Sequence, residues 1–339
     1  MNKNSGIIHI WNWLPNYLWQ AVIPKQRTDR SLPIHIMLSV VDHFEPFNGG
    51  AGFDKANNRV RAWLDGYPRM AAKFKDSDGV MPQHTWFYPP HHDPCFLGDL
   101  VRLCQKGYGE IEMHLHHNHM HPFPDTKETL RAKIMKCIEV YSHFGIFCLP
   151  DGSKRFAFIH GDWSLDNAKG EEFCGINNEL SLLKECGCYA DFTFPSLGKA
   201  QPSKVNKIYY ARDNPYKPKS YNQGKDLRVN GEPWGDLLMV PGIIGLRRKN
   251  TNLFRPSLEA SNLDGTDGPT QERIDYWVKN GLIVRGRPNW IFIKLHTHGS
   301  REENWDPLFG EKAEEMFGYL EKKYKGTDQY QLHYVTARE

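Results

Sequence analysis

An α/β barrel of parallel strands is the architecture this sequence predicts, on three observations. Seven short apolar runs, each a strand in length, recur along the chain. Helical periodicities fall between them, and strands alternating with helices pair in parallel through βαβ units. The residues able to do chemistry gather where the runs end, which in a parallel barrel is the face that carries the active site.

The runs are Ile34–Val41, His84–Tyr88, Ile111–Leu115, Phe156–His160, Cys188–Phe194, Leu237–Val240 and Trp290–Leu295. Several are bounded by Gly, Pro or Asp, as buried strands are. The helical segments between them are Phe53–Ala72, Asp93–Lys106, Asp125–Phe144, Asn178–Gly187, Gln271–Asn280 and Glu311–Lys325. The clearest is Asp125–Phe144. Asp125 and Glu128 have capping-box spacing, Leu130, Ile134, Cys137, Ile138 and Tyr141 repeat every three to four residues, and Gly145 closes it. Residues 197–235 and 245–270 break the rhythm with Lys, Pro, Asn, Tyr and Gly, and read as long ordered loops over the mouth. The organisation is therefore an arm, residues 1–30, packed on one barrel domain, residues 31–339.

Composition narrows the function. A net charge of +3 over 339 residues, with no long basic block, argues against nucleic-acid binding. The seven cysteines are odd in number and form no CxxC, so they read as core residues in a reducing, cytoplasmic setting. No apolar run reaches the roughly 18 residues of a membrane span. The Trp- and Ile-rich stretch Ile7–Ile23 is read as a packing arm, with peripheral contact to a membrane surface as the alternative.

The strand ends carry the chemistry. The first closes in Asp42-His43-Phe44-Glu45, and the third in His114-Leu115-His116-His117-Asn118-His119-Met120-His121. The fourth closes in His160-Gly161-Asp162, the fifth carries Asp191, and the last ends His296-Thr297-His298. Five histidines among the eight residues 114–121, closing a strand, are a metal signal, because imidazole and carboxylate are the usual ligands of zinc and similar ions. His114 ends the strand. His116 shares its side if the strand continues, and His117 does so if a helical turn begins. The ligand set expected is His43, His114 and one of His116 or His117. Asp42 is the expected base, or a further ligand, and His296 the acid. His160, Asp162, Asn178, Asp191 and His298 are candidate substrate contacts. For Asn178 and Asp191, capping and loop hydrogen bonds are the competing reading. There is no GxSxG, GxGxxG or GxxxxGK[ST] motif, which argues against a serine hydrolase and a nucleotide fold.

The order of these motifs resembles the polysaccharide-deacetylase (NodB-homology) superfamily. Asp42-His43 stands where that family has a strand ending in two aspartates. Glu110-Ile111-Glu112-Met113-His114 resembles its Glu-Ile-Gly-x-His motif, and Lys294-Leu295-His296 its last strand. The departures are His43 for the second aspartate, Asn118 for the second histidine of the second motif, and Phe158–Trp163 for an Arg-x-Pro-x-Gly segment. The strings HTWFYPP, EIEMHLHHNH, FIHGDWSLDN and KLHTHG are similar to a divergent bacterial group associated with exopolysaccharide and O-antigen loci.

The resemblance implies a distorted seven-stranded (β/α) barrel holding one divalent ion, with zinc first and nickel, cobalt or iron also suited. It implies removal of an acetyl or formyl group from an amino sugar or glycan. Two readings compete with it. One is metal-dependent hydrolysis of a glycosidic or phosphoester bond, in which Asp42 pairs with Asp162 or Asp191. The other is a catalytically silent glycan-binding barrel. The sequence does not give the oligomeric state.

Overall fold

The computed structural model describes residues 9–23, 28–29, 31–249 and 252–339. In chain order, helix α1 (Leu14–Val22) precedes β1 (Ile34–His43), α2 (Phe53–Ala71), β2 (His84–Tyr88), α3 (Leu97–Gln105), β3 (Gly109–Leu115), α4 (Lys127–Ser142) and β4 (Phe156–His160). Then come α5 (Glu179–Glu185), β5 (Cys188–Asp191), β6 (Tyr209–Ala211), β7 (Gly224–Asp226), β8 (Leu237–Met239), β9 (Gly245–Lys249) and β10 (Asn252–Glu259). The chain finishes with α6 (Gln271–Asn280), β11 (Leu282–Val284), β12 (Arg287–Thr297), α7 (Trp305–Phe309), α8 (Glu311–Tyr324) and β13 (Tyr330–Tyr334).

All seven expected runs form strands of one mixed sheet. Its parallel centre runs β12-β1-β2-β3-β4-β5-β8, and β13 pairs with the first half of β1. Antiparallel β11 flanks β12, and antiparallel β6 and β7 extend the β8 edge. The register aligns Val41 with both His296 and Thr85, Phe87 with Glu112, and Leu115 with His160. The strand ends, and with them the polar residues, therefore lie at one level.

Side chains alternate across each strand, and two apolar clusters result. Val41, Phe87, Ala157, Ile159, Ala190 and Phe192 fill the concave side. Val40, Trp86, Tyr88, Leu115 and Phe158 face the other way and pack, fully buried, with Trp63 of α2, Leu100 of α3, Ile134 of α4 and Leu183 of α5. Burying each such side chain contributes about 1.5–3 kcal/mol, so the helices are held to the sheet by its outward residues.

Three expectations are corrected. The sheet is not a closed seven-stranded barrel, because no strand ladder joins its two ends among the described residues. The segments 197–235 and 245–270 are not only loops: they hold β6, β7 and the two-stranded β9–β10 sheet. Helix α4 is capped by Thr126 and Thr129, whose side chains bond each other's backbone N–H groups. Asp125 instead accepts from the Thr129 hydroxyl and from Lys133 Nζ. Of the arm, Trp13 is buried against Val205 and Ile244, while Trp11, Leu18 and Trp19 on the other side are exposed. Ile7 and Ile8 of the Ile7–Ile23 stretch lie outside the described residues. No described helix is long and apolar enough to cross a membrane.

Side chains and irregular segments bridge the gap between β5 and β12. Lys294 Nζ, on β12, donates to Phe192 O and Phe194 O, each at 2.6 Å. The Ser261 hydroxyl donates to Ile243 O and accepts from Ile243 N–H, while Ser261 O accepts from His296 N–H. Burial pulls the Lys294 amine down to about 7. In the unfolded chain it returns towards its ordinary value of about 10.4. Between those values the unfolded state binds more protons, so this residue makes stability rise with pH. Urea melts from pH 7 to pH 9 test this. Wild type is expected to gain stability relative to Lys294→Met over that range, and a constant difference between the two would remove the lysine as the cause.

Candidate metal centre

The concave side of the strand ends gathers histidines from three strands. β1 contributes His43 and, just past its end, Glu45. β3 contributes His114 and, one residue beyond, His116. β12 and its extension contribute His296 and His298. All but His298 are buried.

His114, His116 and Glu45 converge most closely. The two Nε2 atoms are 3.1 Å apart, and Glu45 Oε1 lies 3.0 Å from His116 Nε2 and 3.8 Å from His114 Nε2. The far nitrogens are engaged. His114 Nδ1 is 3.0 Å from Ile159 O, a pure acceptor, and His116 Nδ1 is 3.0 Å from Asp162 Oδ2. With Nδ1 donating, each neutral ring has a lone pair on Nε2, and two lone pairs facing each other at 3.1 Å beside a carboxylate repel unless a proton on His116 or a metal ion lies between them. Ligands about 2.0–2.2 Å from a tetrahedral zinc are roughly 3.3–3.6 Å apart, so this trio fits such an ion. Carbonyl and carboxylate partners on the outer nitrogens are what orients metal-binding imidazoles. Three protein ligands also leave a coordination position open, as in catalytic rather than structural sites.

Without a cation, the same charges shift the titrations. Burial alone would lower His116, but hydrogen bonds to Asp162 and Glu45 raise it to about 9. Burial and the neighbouring His116 take His114 down to about 3. Burial pushes Glu45 up, but His116 and His114 outweigh it and hold the carboxyl below its usual range.

The other two imidazoles on this side are short of partners. His43 Nε2 and His296 Nδ1 are buried with no hydrogen-bond partner among the described residues. His43 stacks on His298 at 4.7 Å between ring centroids and stands edge-on to His114 at 4.9 Å. Burial and these neighbouring imidazoles hold His43 well below the usual histidine range, and burial together with Lys294 does the same for His296. Half-buried Trp163 lies 5.8 Å from His43 and 6.0 Å from His298, with the Lys169 ammonium over its ring.

The loop that supplies Asp162 is bent to reach the site. Asp162 and Trp163 both have φ of 55°, in the left-handed region that non-glycine residues seldom occupy. Gly161 is required for closeness, since a Cβ there would run into the His116 ring.

Several expected site residues lie elsewhere. Asp42 faces the side of β1 opposite His43, where Oδ1 accepts from Gly299 N–H at 2.6 Å and Oδ2 lies 3.1 Å from His84 Nε2. Strand alternation puts it against helix α2, so Asp42 is not positioned as the base. The acidic ligand on the concave side is Glu45. His117 and His160 also point outward, away from His114, with their rings stacked at 4.4 Å. Asp191 is buried and bonded to the Thr193 backbone and hydroxyl, with burial lifting its carboxyl to about 7. Asn178 precedes α5 without a side-chain capping bond. The glycosidic pairing of Asp42 with Asp162 or Asp191 is therefore not assembled. Two further contributors, His91 and His92, follow the end of β2. His91 lies 5.6 Å from His116, ring to ring, and its Nε2 is 3.2 Å from His119 Nδ1. The strand-end rule that singles out the other histidines applies to Glu45, His91 and His92 as well.

No protein-family model matches this chain, and no curated protein does. Among solved structures, the chain is similar to a candidate polysaccharide deacetylase from Mycobacterium smegmatis, with a TM-score of 0.46, 12% identity and 91% of each chain covered. It is also similar to a candidate glycoside hydrolase/deacetylase from Parabacteroides distasonis, with a TM-score of 0.45, 10% identity, and 91% of this chain and 70% of that one covered. A third is the 4-alpha-glucanotransferase of Thermococcus litoralis, with a TM-score of 0.44, 14% identity, and 90% of this chain but 38% of that one covered.

Metal analysis of side-by-side variants separates the two faces of β1. His114→Ala and Glu45→Gln are expected to lose about one equivalent of divalent ion relative to wild type. Asp42→Asn, changed on the outward face, is expected to keep it and to melt at lower temperature. Loss of metal in Asp42→Asn alone would reverse the assignment.

Proposed function

We propose that the protein is a metal-dependent hydrolase that removes an N-acyl group, acetyl or formyl, from an amino sugar of bacterial surface polysaccharide or O-antigen, acting in the cytoplasm. The observation that carries the reading is the pair of imidazole Nε2 atoms at 3.1 Å, each oriented through its far nitrogen, with Glu45 completing the trio. The sugar and the amide are supported by the motifs Glu110–His114 and Lys294–His296 and by Trp163, whose flat face at the rim suits the apolar face of a pyranose. The seven cysteines, none of them paired, suit a reducing compartment.

Glu45, His114 and His116 would hold the ion, zinc first, which supplies Lewis acidity to polarise the acyl oxygen. His296 carries the proton. Burial keeps it neutral, so its imidazole takes a proton from the attacking water as the oxygen–carbon bond forms. The same proton goes to nitrogen as the carbon–nitrogen bond breaks, which yields a carboxylic acid and a free amine. His43, stacked on His298, shapes the wall beside the reacting group. Asp162 positions His116 through Nδ1.

The test is amine release from N-acetyl and N-formyl amino sugars by metal-loaded protein. His296→Ala is expected to lower kcat by roughly 10²–10⁴-fold, the usual contribution of a positioned proton carrier, with KM little changed and metal content intact. Undiminished turnover in His296→Ala would end its role as carrier. A metal-loaded wild type inert on every N-acyl sugar would move the reading to another bond.

A further inference from the structure

Outside the proposed active site, on the helix-facing side of the same strands, four more ligand-type side chains meet. They are His117, just past β3; His160, the last residue of β4; Cys174, in the loop before α5; and Glu179, the first residue of α5. All four are completely buried. One ligand-type atom from each lies within 4.8 Å of every other. Glu179 Oε1 is 3.1 Å from His117 Nε2 and 3.7 Å from His160 Nε2, and Glu179 Oε2 is 3.5 Å from Cys174 Sγ.

The Cys174 thiol has acceptors in Glu179 Oε2 and Ile176 O, but the contacts between the two imidazoles and Glu179 Oε1 are not aligned as hydrogen bonds. Both ring nitrogens of His117, Nε2 of His160 and Oε1 of Glu179 have no aligned partner, although water cannot reach them. Leaving a buried polar atom in this condition is costly, and native proteins rarely leave four together. The surroundings orient the set. Asp125 Oδ2 lies 3.1 Å from His117 Nδ1 and is fixed by Lys133 Nζ at 2.9 Å. His160 Nδ1 meets Gly161 O. Glu179 Oε2 accepts from Asp166 N–H at 2.6 Å. Each imidazole thus has an oxygen on its outer side and turns its inner nitrogen towards the thiol and the carboxylate.

We propose that His117, His160, Cys174 and Glu179 form a second metal site, closed and structural, for a divalent ion that accepts mixed sulfur, nitrogen and oxygen ligands, zinc first. Four protein ligands and no opening to solvent are the features of a structural zinc site, whereas the Glu45–His114–His116 trio keeps a position open. The ion would tie the 161–179 loop to the ends of β3 and β4. That matters for the first site, because His117 follows His116 in the chain and His160 is two residues from Asp162.

Cobalt substitution tests this independently of activity. The first site has no thiolate ligand, so a thiolate-to-cobalt charge-transfer band reports the second site alone. Wild type loaded with cobalt is expected to bind two equivalents and to show the band. Cys174→Ser should bind one equivalent without it, and His114→Ala should bind one and keep it. The proposal is overturned if cobalt-loaded wild type shows no thiolate band, which would mean that the four groups share protons rather than a metal. Because the wild-type spectrum decides this, misfolding of the Cys174→Ser variant does not obscure the result. Loss of one equivalent in His114→Ala with no band in either protein would leave the first site standing and remove the second.

Discussion

Alternation of side chains along the strands is the constraint on which both clusters depend. In β3 and its extension, His114 and His116 point to the concave side while Leu115 and His117 point to the helices. In β1, His43 points in and Asp42 out. One step of register would exchange each set for the other, so the parallel ladder that aligns Val41 with His296 and Leu115 with His160 also determines which histidines can meet. Two groups of metal-ligand type therefore stand back to back across one wall of the sheet, assembled from neighbouring residues.

The loop after β4 joins the two. Asp162, Trp163, Asp166 and Asn167 all adopt left-handed backbone, a conformation that costs on the order of 1–3 kcal/mol at each non-glycine residue. It is held by bonds from several directions. Asp166 N–H donates to Glu179, Asp166 Oδ2 accepts from Ser220 N–H, and Asn167 Oδ1 accepts from Gly175 N–H. The outcome is an Asp162 carboxylate at His116 Nδ1, close enough that only a glycine fits at position 161.

Much of this was legible in the chain. The apolar runs place the parallel strands, and the strand-end rule points to His43, His114, His116, His296 and His298, because residue type and local position are enough. Asp42 adjoins His43 in the motif, but neighbours on a strand face opposite sides, which turns it to His84 and Gly299. The opening in the barrel was not legible, since Lys294 and Ser261 bridge it through contacts between distant segments. Nor was the His117–His160–Cys174–Glu179 group, whose members are spread over 63 positions with no metal-motif spacing and meet only once β3, β4 and α5 pack. Asp125 shows a finer limit. Its spacing to Glu128 suggests a cap, but Thr126 is the residue that caps, and Asp125 turns to His117 and Lys133.

The wall between β5 and β12 differs in kind from the rest. From β12 through β4, ladders tie strand to strand, so separating two of them breaks a run of bonds together. Here a lysine, a serine and a few irregular backbone bonds span the gap. Local opening costs least where few contacts must break, so the mechanical stiffness of the fold is uneven. The frame formed by β1, β3 and β4, which carries Glu45, His114, His116 and Asp162, is the rigid part. On the β5–β12 side, parting the wall breaks only the few bonds just named.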